Sequence, residues 1–158
     1  MIEIVASTEI DAPAAAVWDV LTDLPHFGEW NPFIRAASGS TSLGGEVQVR
    51  VQPSIKAARL GFRAKVLVCE RNRELRWRGH VLASWLGDGD HTFSIEPAAD
   101  GRVRFEQREV FRGLLPHLAG RLLARETQRG FDAMNDALRR RAEAARSASE
   151  RASCARVP

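Results

Sequence analysis

Alternating apolar and polar residues mark much of this chain as β-strand. The clearest case is residues 102–112, where one face carries Val103, Phe105, Gln107, Glu109 and Phe111. Such period-two alternation is typical of a strand with one buried face. The same criterion, with Gly- and Pro-rich clusters as breaks, predicts seven strands over residues 2–11, 34–38, 46–51, 60–68, 75–81, 91–96 and 102–112.

Helical patterns are found in two parts of the chain. Pro13 suits the first turn of a helix, where its missing N–H loses no bond, and Asp11 before it is a candidate cap. A first helix is therefore predicted over residues 12–22, and a second, short helix within residues 23–33. A long helix is predicted over about residues 115–142 from apolar positions three or four apart, or multiples of this: Leu115, Leu118, Leu122, Met134 and Leu138.

The order of these elements indicates an α+β fold: a strand, two helices, six strands and a long helix. Single-faced alternation means that one side of an antiparallel sheet is covered, and only the last helix is long enough to cover it. A strongly bent sheet around that helix leaves a cavity where the two diverge. Residues 1–143 would form this single domain. The basic, Ala/Arg/Ser-rich residues 144–158 are expected to be disordered.

Residues 9–33, EIDAPAAAVWDVLTDLPHFGEWNPF, join a strand to a proline-started helix and then to an aromatic elbow. This block resembles the opening of the START-like (SRPBCC) superfamily, in particular its polyketide cyclase/dehydrase-like branch. The resemblance covers about residues 2–142. It implies a helix-grip fold, with a curved seven-stranded antiparallel sheet around the long C-terminal helix and two short helices after strand one. It also implies a cup for a small apolar ligand.

Composition and charge argue against several classes of function. Six arginines and two glutamates give residues 139–158 a charge of +4, while the whole chain carries +3, so the body is at −1. A nucleic-acid-binding domain would show a basic face, so no nucleic-acid partner is expected. No apolar run approaches the roughly 20 residues of a membrane span, and signal-peptide features are absent. A cytoplasmic protein is expected, with Cys69 and Cys154 as free thiols.

Three polar residues interrupt the apolar inner face, where an unpaired polar group costs about 1–3 kcal/mol. Gln107 and Glu109 are in inward phase on the last strand, and His91 is in inward phase on the strand before it. If residues 97–101 form the hairpin turn, His91 lies opposite Gln107, with Glu109 diagonal to it. The cluster can satisfy itself, contact a ligand or transfer protons, and these alternatives stay open.

The predicted ligand pocket combines inward strand residues with the helix stripe. It contains Trp77, His91, Phe93, Phe105, Gln107, Glu109, Phe111, Leu122, Glu126 and Met134. By the family resemblance, the elbow and the strand-connecting loops frame its mouth, which gives a rim of Phe27, Trp30, Phe33, Trp85 and Leu86. Glu126 can instead pair with Arg125 or Arg129 at the surface, and Trp30 can plug the core. Gly130 can leave room for a ligand or for an aromatic neighbour such as Trp18.

Motifs for catalysis, metals and cofactors are absent from the sequence. It has no nucleophile elbow, P-loop or dinucleotide fingerprint, and its four histidines lack zinc-ligand spacing, so no metal and no cofactor is expected. The favoured function is binding of a small hydrophobic ligand: a lipid, a polyketide-like molecule or an aromatic metabolite. The alternative is a cyclase/aromatase or dehydratase that uses His91 or Glu109 as acid or base. A third candidate, an Hsp90-activator-like interaction module, is disfavoured by the charged outer face.

Overall fold

The computed structural model describes residues 1–52, 60–80, 88–113 and 115–154. Its strands are β1 (Ile2–Ile10), β2 (Ile34–Gly39), β3 (Glu46–Val51), β4 (Leu60–Glu70), β5 (Glu74–His80), β6 (Asp88–Pro97) and β7 (Val103–Arg112). Its helices are α1 (Ala14–Thr22), α2 (Phe27–Trp30) and α3 (Leu115–Cys154), with short 3-10 turns at Leu24–His26 and Ala99–Gly101.

The seven strands form one antiparallel sheet in the order β1-β7-β6-β5-β4-β3-β2. β1 therefore crosses to the far edge and pairs with β7, from Ile2 opposite Phe111 to Ile10 opposite Val103. The register shifts between Ile34 and Ala36 on β2 and between Val66 and Val68 on β4. Such bulges bend a strand and increase its twist. The α+β helix-grip fold predicted from the sequence is confirmed.

The inner face of the sheet is covered by α3 through a stripe of buried residues. Phe131, Met134, Leu138 and Ala142 are spaced three or four apart and are buried. Leu122, predicted to belong to this stripe, is 64% exposed, which corrects that prediction. At ~100° per residue, twelve residues place Leu122 about 120° around the helix from Met134, whereas the neighbouring Leu123 falls within about 20° of it.

The β6–β7 hairpin differs from the predicted register by two residues. His91 lies opposite Glu109, and Gln107 lies opposite Phe93. The turn occupies residues 98–102 instead of 97–101, because Asp100 and Gly101 take the left-handed conformation, with φ of 60° and 75°. Because side chains alternate with period two, a shift of two residues changes the partners but keeps every side chain on its predicted face.

Within the segment expected to be disordered, residues 144–154 are described, and they are helical. α3 continues through Cys154, since Ala, Arg and Glu are favourable helix residues and propagation from a packed helix needs no new nucleus. Arg146 donates to both carboxylate oxygens of Asp11, at 2.6 and 3.0 Å, so Asp11 does not cap α1 as predicted. Within the described residues, no helix has both the length and the apolar character that a membrane crossing requires.

Candidate functional site

An apolar cavity of about 130 Å³ lies between the inner face of the sheet and the first half of α3. β3, β4 and β5 contribute Val49, Phe62 and Trp77, and α3 contributes Leu123 and Phe131. β2 extends the wall with Ile34, and the end of β7 extends it with Phe111. The curved sheet and the straight helix separate here, so the cavity follows from the fold itself.

One wall of the cavity carries a buried pair of a histidine and a glutamate. His91 Nδ1 lies 3.1 Å from Glu109 Oε2, and the two side chains are only 7% and 10% exposed. They are direct cross-strand partners on β6 and β7, and both line the cavity. Directly opposite residues in an antiparallel pair place their side chains within reach of each other, so the register itself creates this pair.

A chain of hydrogen bonds continues from this pair into α3. His91 Nε2 lies 3.2 Å from Gln107 Oε1. Gln107 Nε2 donates to Asn135 Oδ1 at 2.6 Å and to the Phe131 carbonyl at 3.4 Å. A backbone carbonyl can only accept, so it orients the Gln107 amide with its oxygen toward the imidazole. His91 Nε2 must then carry a hydrogen and act as the donor.

Aromatic rings hold the imidazole in place. The His91 ring stacks on Phe93 with centroids 4.1 Å apart, and Phe131 lies 4.8 Å away on a tilted plane. Trp77 meets it edge-on at 5.8 Å. The packing against these rings leaves the imidazole little rotational freedom. The ring is therefore held in an orientation that serves both Glu109 and Gln107.

Three glycines make room for side chains at the site. A Cβ atom on Gly89 would overlap Glu109 Oε1, and one on its cross-strand partner Gly79 would lie 2.7 Å from the Phe62 ring. A Cβ on Gly130 would overlap the ring of Phe33. The aromatic neighbour of Gly130 is thus Phe33 and not Trp18 as the sequence suggested.

A family model described as polyketide cyclase / dehydrase and lipid transport matches residues 1–143. The chain belongs to this family. No curated protein matches the sequence. The family match confirms the resemblance drawn from residues 9–33, and it covers the whole sheet and most of α3.

Solved structures with this fold include an enzyme and proteins without a stated activity. The Zhui aromatase/cyclase from Streptomyces sp. R1128 has a TM-score of 0.73 at 18% identity, over 90% of this chain and 93% of that one. A START superfamily protein from Mycobacterium smegmatis has a TM-score of 0.72 at 17% identity, over 89% and 97%. The protein TTHA0849 from Thermus thermophilus has 0.73 at 14% identity, over 91% and 99%. At these identities the likeness supports the fold alone.

Five of the predicted site residues lie on the cavity of this polyketide cyclase/dehydrase family member. They are Trp77, His91, Glu109, Phe111 and, from the predicted rim, Phe33. Four others are fully buried but do not line it: Phe93, Phe105, Gln107 and Met134. Gln107 therefore acts on the cavity only through His91, since its own side chain is enclosed between the sheet and α3.

The remaining predicted residues lie elsewhere. Leu122 is on the exposed side of α3, and Glu126 pairs with Arg129 at 3.2 Å, which is the surface alternative. Phe27 is buried with its ring edge-on to Trp30 at 5.2 Å, and neither lines the cavity. Trp85 and Leu86 lie outside the described residues. Packing of Phe27 and Trp30 against each other fits the interpretation of the elbow as a plug of the core.

Thr127 and Asn135 are site residues that the sequence reasoning missed. Thr127 is buried and lines the cavity, and Asn135 is buried and accepts from Gln107. Both are polar, so a search for apolar stripes passes over them. Their spacing from Phe131, four residues on either side, was the available signal, because residues at i and i+4 share a helix face.

The outer face opposite the site carries a charged cluster. Asp90 bonds to Arg78 and Arg112, which hold the pKa of its carboxyl below the usual value. The hydrogen bond from Arg78 is the largest cause, and partial burial opposes it. These three residues lie on β5, β6 and β7. They therefore tie together, from outside, the strands that carry His91 and Glu109 inside.

Proposed function

We propose that this protein binds a small hydrophobic molecule in the cavity, with its apolar body against the aromatic walls and one polar group at His91 and Glu109. The observation that carries the proposal is the contrast within the site. A cavity otherwise formed mainly by Val, Ile, Leu, Phe and Trp side chains contains the buried, polar His91–Glu109 pair. Apolar pockets with a few convergent polar groups are the usual form of small-molecule sites.

The size of the cavity favours a compact occupant. An apolar cavity of roughly 150 Å³ holds benzene, and the cavity here is of about 130 Å³. A single ring, or the end of a longer molecule, therefore fills it. The lipid, polyketide-like and aromatic ligands expected from the sequence all contain a part of this size.

Toluene binding to two matched variants tests the proposal. Val51→Trp fills the cavity, because Val51 lines it. Gln48→Trp places the same ring on the exposed face of the same strand. Titration calorimetry should detect toluene binding to the wild type and to Gln48→Trp, and little binding to Val51→Trp. Equal binding to all three proteins would show that the cavity is not the ligand site. Native mass spectrometry of freshly purified protein would identify a co-purified ligand.

An enzymatic role is the second candidate, of the cyclase/aromatase or dehydratase type. The supporting observation is the fixed chain from Asn135 through Gln107 and His91 to Glu109, which places a transferable proton at the cavity wall. A candidate acid or base needs this kind of hydrogen-bonding reach. Glu109→Gln should then abolish turnover while the ligand still binds. The co-purified ligand would then be incubated with the protein in deuterated water. If it loses no water, closes no ring and takes up no deuterium, binding alone is favoured.

A further inference from the structure

We infer that the ligand presents a neutral hydroxyl group, and that this hydroxyl donates its hydrogen to Glu109 Oε1. The inference rests on the proposed binding function and specifies the chemical class of the ligand. It follows from the placement of the unused carboxylate oxygen and from where the hydrogens of the His91–Glu109 pair must lie.

Among the described residues, one oxygen of Glu109 has a partner and the other has none. Oε2 faces His91 Nδ1 at 3.1 Å, and in the part of the chain that the structure describes, His91 is the one hydrogen-bonding or ionic partner of this carboxylate. Oε1 lies over Gly89, where a Cβ would displace it. Gly89 and Glu109 both line the cavity. The free oxygen is thus placed at the cavity wall by a missing side chain on the neighbouring strand.

The hydrogen positions make Oε1 an acceptor. Since the Gln107 oxygen faces His91 Nε2, that nitrogen carries a hydrogen. A second hydrogen lies between His91 Nδ1 and Glu109 Oε2, because two lone pairs at 3.1 Å would repel. Whether this hydrogen sits on the nitrogen or on the oxygen, Oε1 has none. A ligand carbonyl or ether oxygen would leave Oε1 unpaired, whereas a hydroxyl satisfies it.

Charge balance favours a neutral ligand over a cation. The His91–Glu109 pair is neutral in both hydrogen placements. At the mouth, Asp88 and Arg112 line the cavity with opposite charges. Arg112 also bonds to Asp90, and Arg78 bonds to the same Asp90 carboxylate, so this group of two acids and two arginines is balanced. Thr127 adds an uncharged hydroxyl to the wall. No excess negative charge is therefore available among these lining groups to compensate a bound ammonium group.

Three probes of similar size test the inference by titration calorimetry. Phenol is a neutral donor, toluene replaces its hydroxyl by a methyl group, and benzylammonium is a charged donor. Phenol is expected to bind about 10- to 100-fold more tightly than toluene, which is the range expected for a hydrogen bond to a charged group. This order would oppose hydrophobicity, since toluene is the more apolar probe. Benzylammonium should bind more weakly than phenol.

Glu109→Met removes the acceptor while keeping the side chain long, and should reverse the order so that toluene binds more tightly than phenol. Glu106→Met is the matched control, because it makes the same change on the outer face of the same strand, away from the cavity, and should keep the preference for phenol. The wild-type comparison stands even if Glu109→Met does not fold. Toluene binding as tightly as phenol to the wild type would overturn the inference and leave the proposed function standing. Binding of none of the probes would overturn both.

Discussion

The hydrogen bond between Gln107 and Asn135 can be tested by a double-mutant cycle. Gln107 is buried on β7, and its Nε2 lies 2.6 Å from Asn135 Oδ1 on α3. This is the polar link between the sheet and the helix beneath the cavity. The substitutions are Gln107→Leu and Asn135→Ala, alone and together.

The expected magnitudes follow from the groups left unpaired. Gln107→Leu strands His91 Nε2 and Asn135 Oδ1, and at about 1–3 kcal/mol each the loss is about 2–6 kcal/mol. Asn135→Ala leaves Gln107 with only its long bond to the Phe131 carbonyl, a loss of about 1–2 kcal/mol. In the double variant the stranded Asn135 oxygen is gone. Its destabilisation should therefore be smaller than the sum of the single values by at least about 1 kcal/mol.

Urea unfolding of the four proteins, followed by circular dichroism, gives the required free energies, provided that the dependence on urea stays constant. Thr22→Val serves as the control partner, because Thr22 bonds to the Trp18 carbonyl within α1 and shares no partner with Gln107. Its effect should add to that of Gln107→Leu within about 0.5 kcal/mol. Additive effects of Gln107→Leu and Asn135→Ala would mean that the two amides do not interact, and the orientation of the Gln107 amide would then rest on the Phe131 carbonyl alone.

Three further changes probe the surroundings of the site. Gly130→Ala should lower the free energy of unfolding by about 1 kcal/mol, because overlap with the Phe33 ring exceeds the gain in helix propensity. It should also weaken toluene binding. Asp90→Asn should be less stable than the wild type by about 1 kcal/mol at pH 7. The pKa of the Asp90 carboxyl lies below its ordinary value of 3.8, so the wild type loses this charge only below about pH 4. The difference in stability between the two proteins should therefore disappear as the pH falls toward the lowered pKa. Arg146→Ala should lower Tm by about 2 °C through loss of its bonds to Asp11.

For each of these three variants, one result would contradict the reasoning. A more stable Gly130→Ala variant would mean that the Phe33 ring moves aside freely. A pH-independent difference for Asp90→Asn would separate its effect from the charge of the carboxylate. Arg140→Ala changes an exposed arginine on the same helix. An equal fall in Tm for Arg140→Ala and Arg146→Ala would point to helix charge instead of the contact with Asp11.

Period-two and helical patterns were sufficient to predict the seven strands and the inward face of the β6–β7 hairpin, because burial acts on every position of a regular element. They do not predict the bulges on β2 and β4, where the alternation breaks. The same patterns did not determine which side chains of α3 face the sheet. Leu122 and Leu123 are both leucine, so composition cannot distinguish them, and only counting the turns back from Met134 shows which one faces the sheet. The C-terminal segment lacks an apolar stripe, and the bond from Arg146 to Asp11 joins residues far apart in the sequence, which no local pattern contains.

The site was harder to predict than the fold because it depends on pairwise contacts. Inward phase identified His91, Gln107 and Glu109 as one group, but their order of contact depends on the length of one turn. With the turn at 98–102, His91 faces Glu109 directly and reaches Gln107 with its other nitrogen. The part played by Asn135 required knowing which face of α3 meets β7, and this is a property of the packed molecule.

Stability alone does not account for the pair of His91 and Glu109. Apolar side chains of similar volume in place of a buried ion pair are often neutral or stabilising, because they avoid the cost of removing two charges from water. The chain instead uses Gln107 and Asn135 to orient the imidazole, and it keeps position 89 as glycine beside the carboxylate. One oxygen atom, Glu109 Oε1, is thus held at the wall of an apolar cavity by four residues: His91, Gln107, Asn135 and Gly89. Such an arrangement gains free energy when a hydrogen-bond donor pairs with that oxygen, and this is why the proposed ligand contact is placed at Glu109 Oε1.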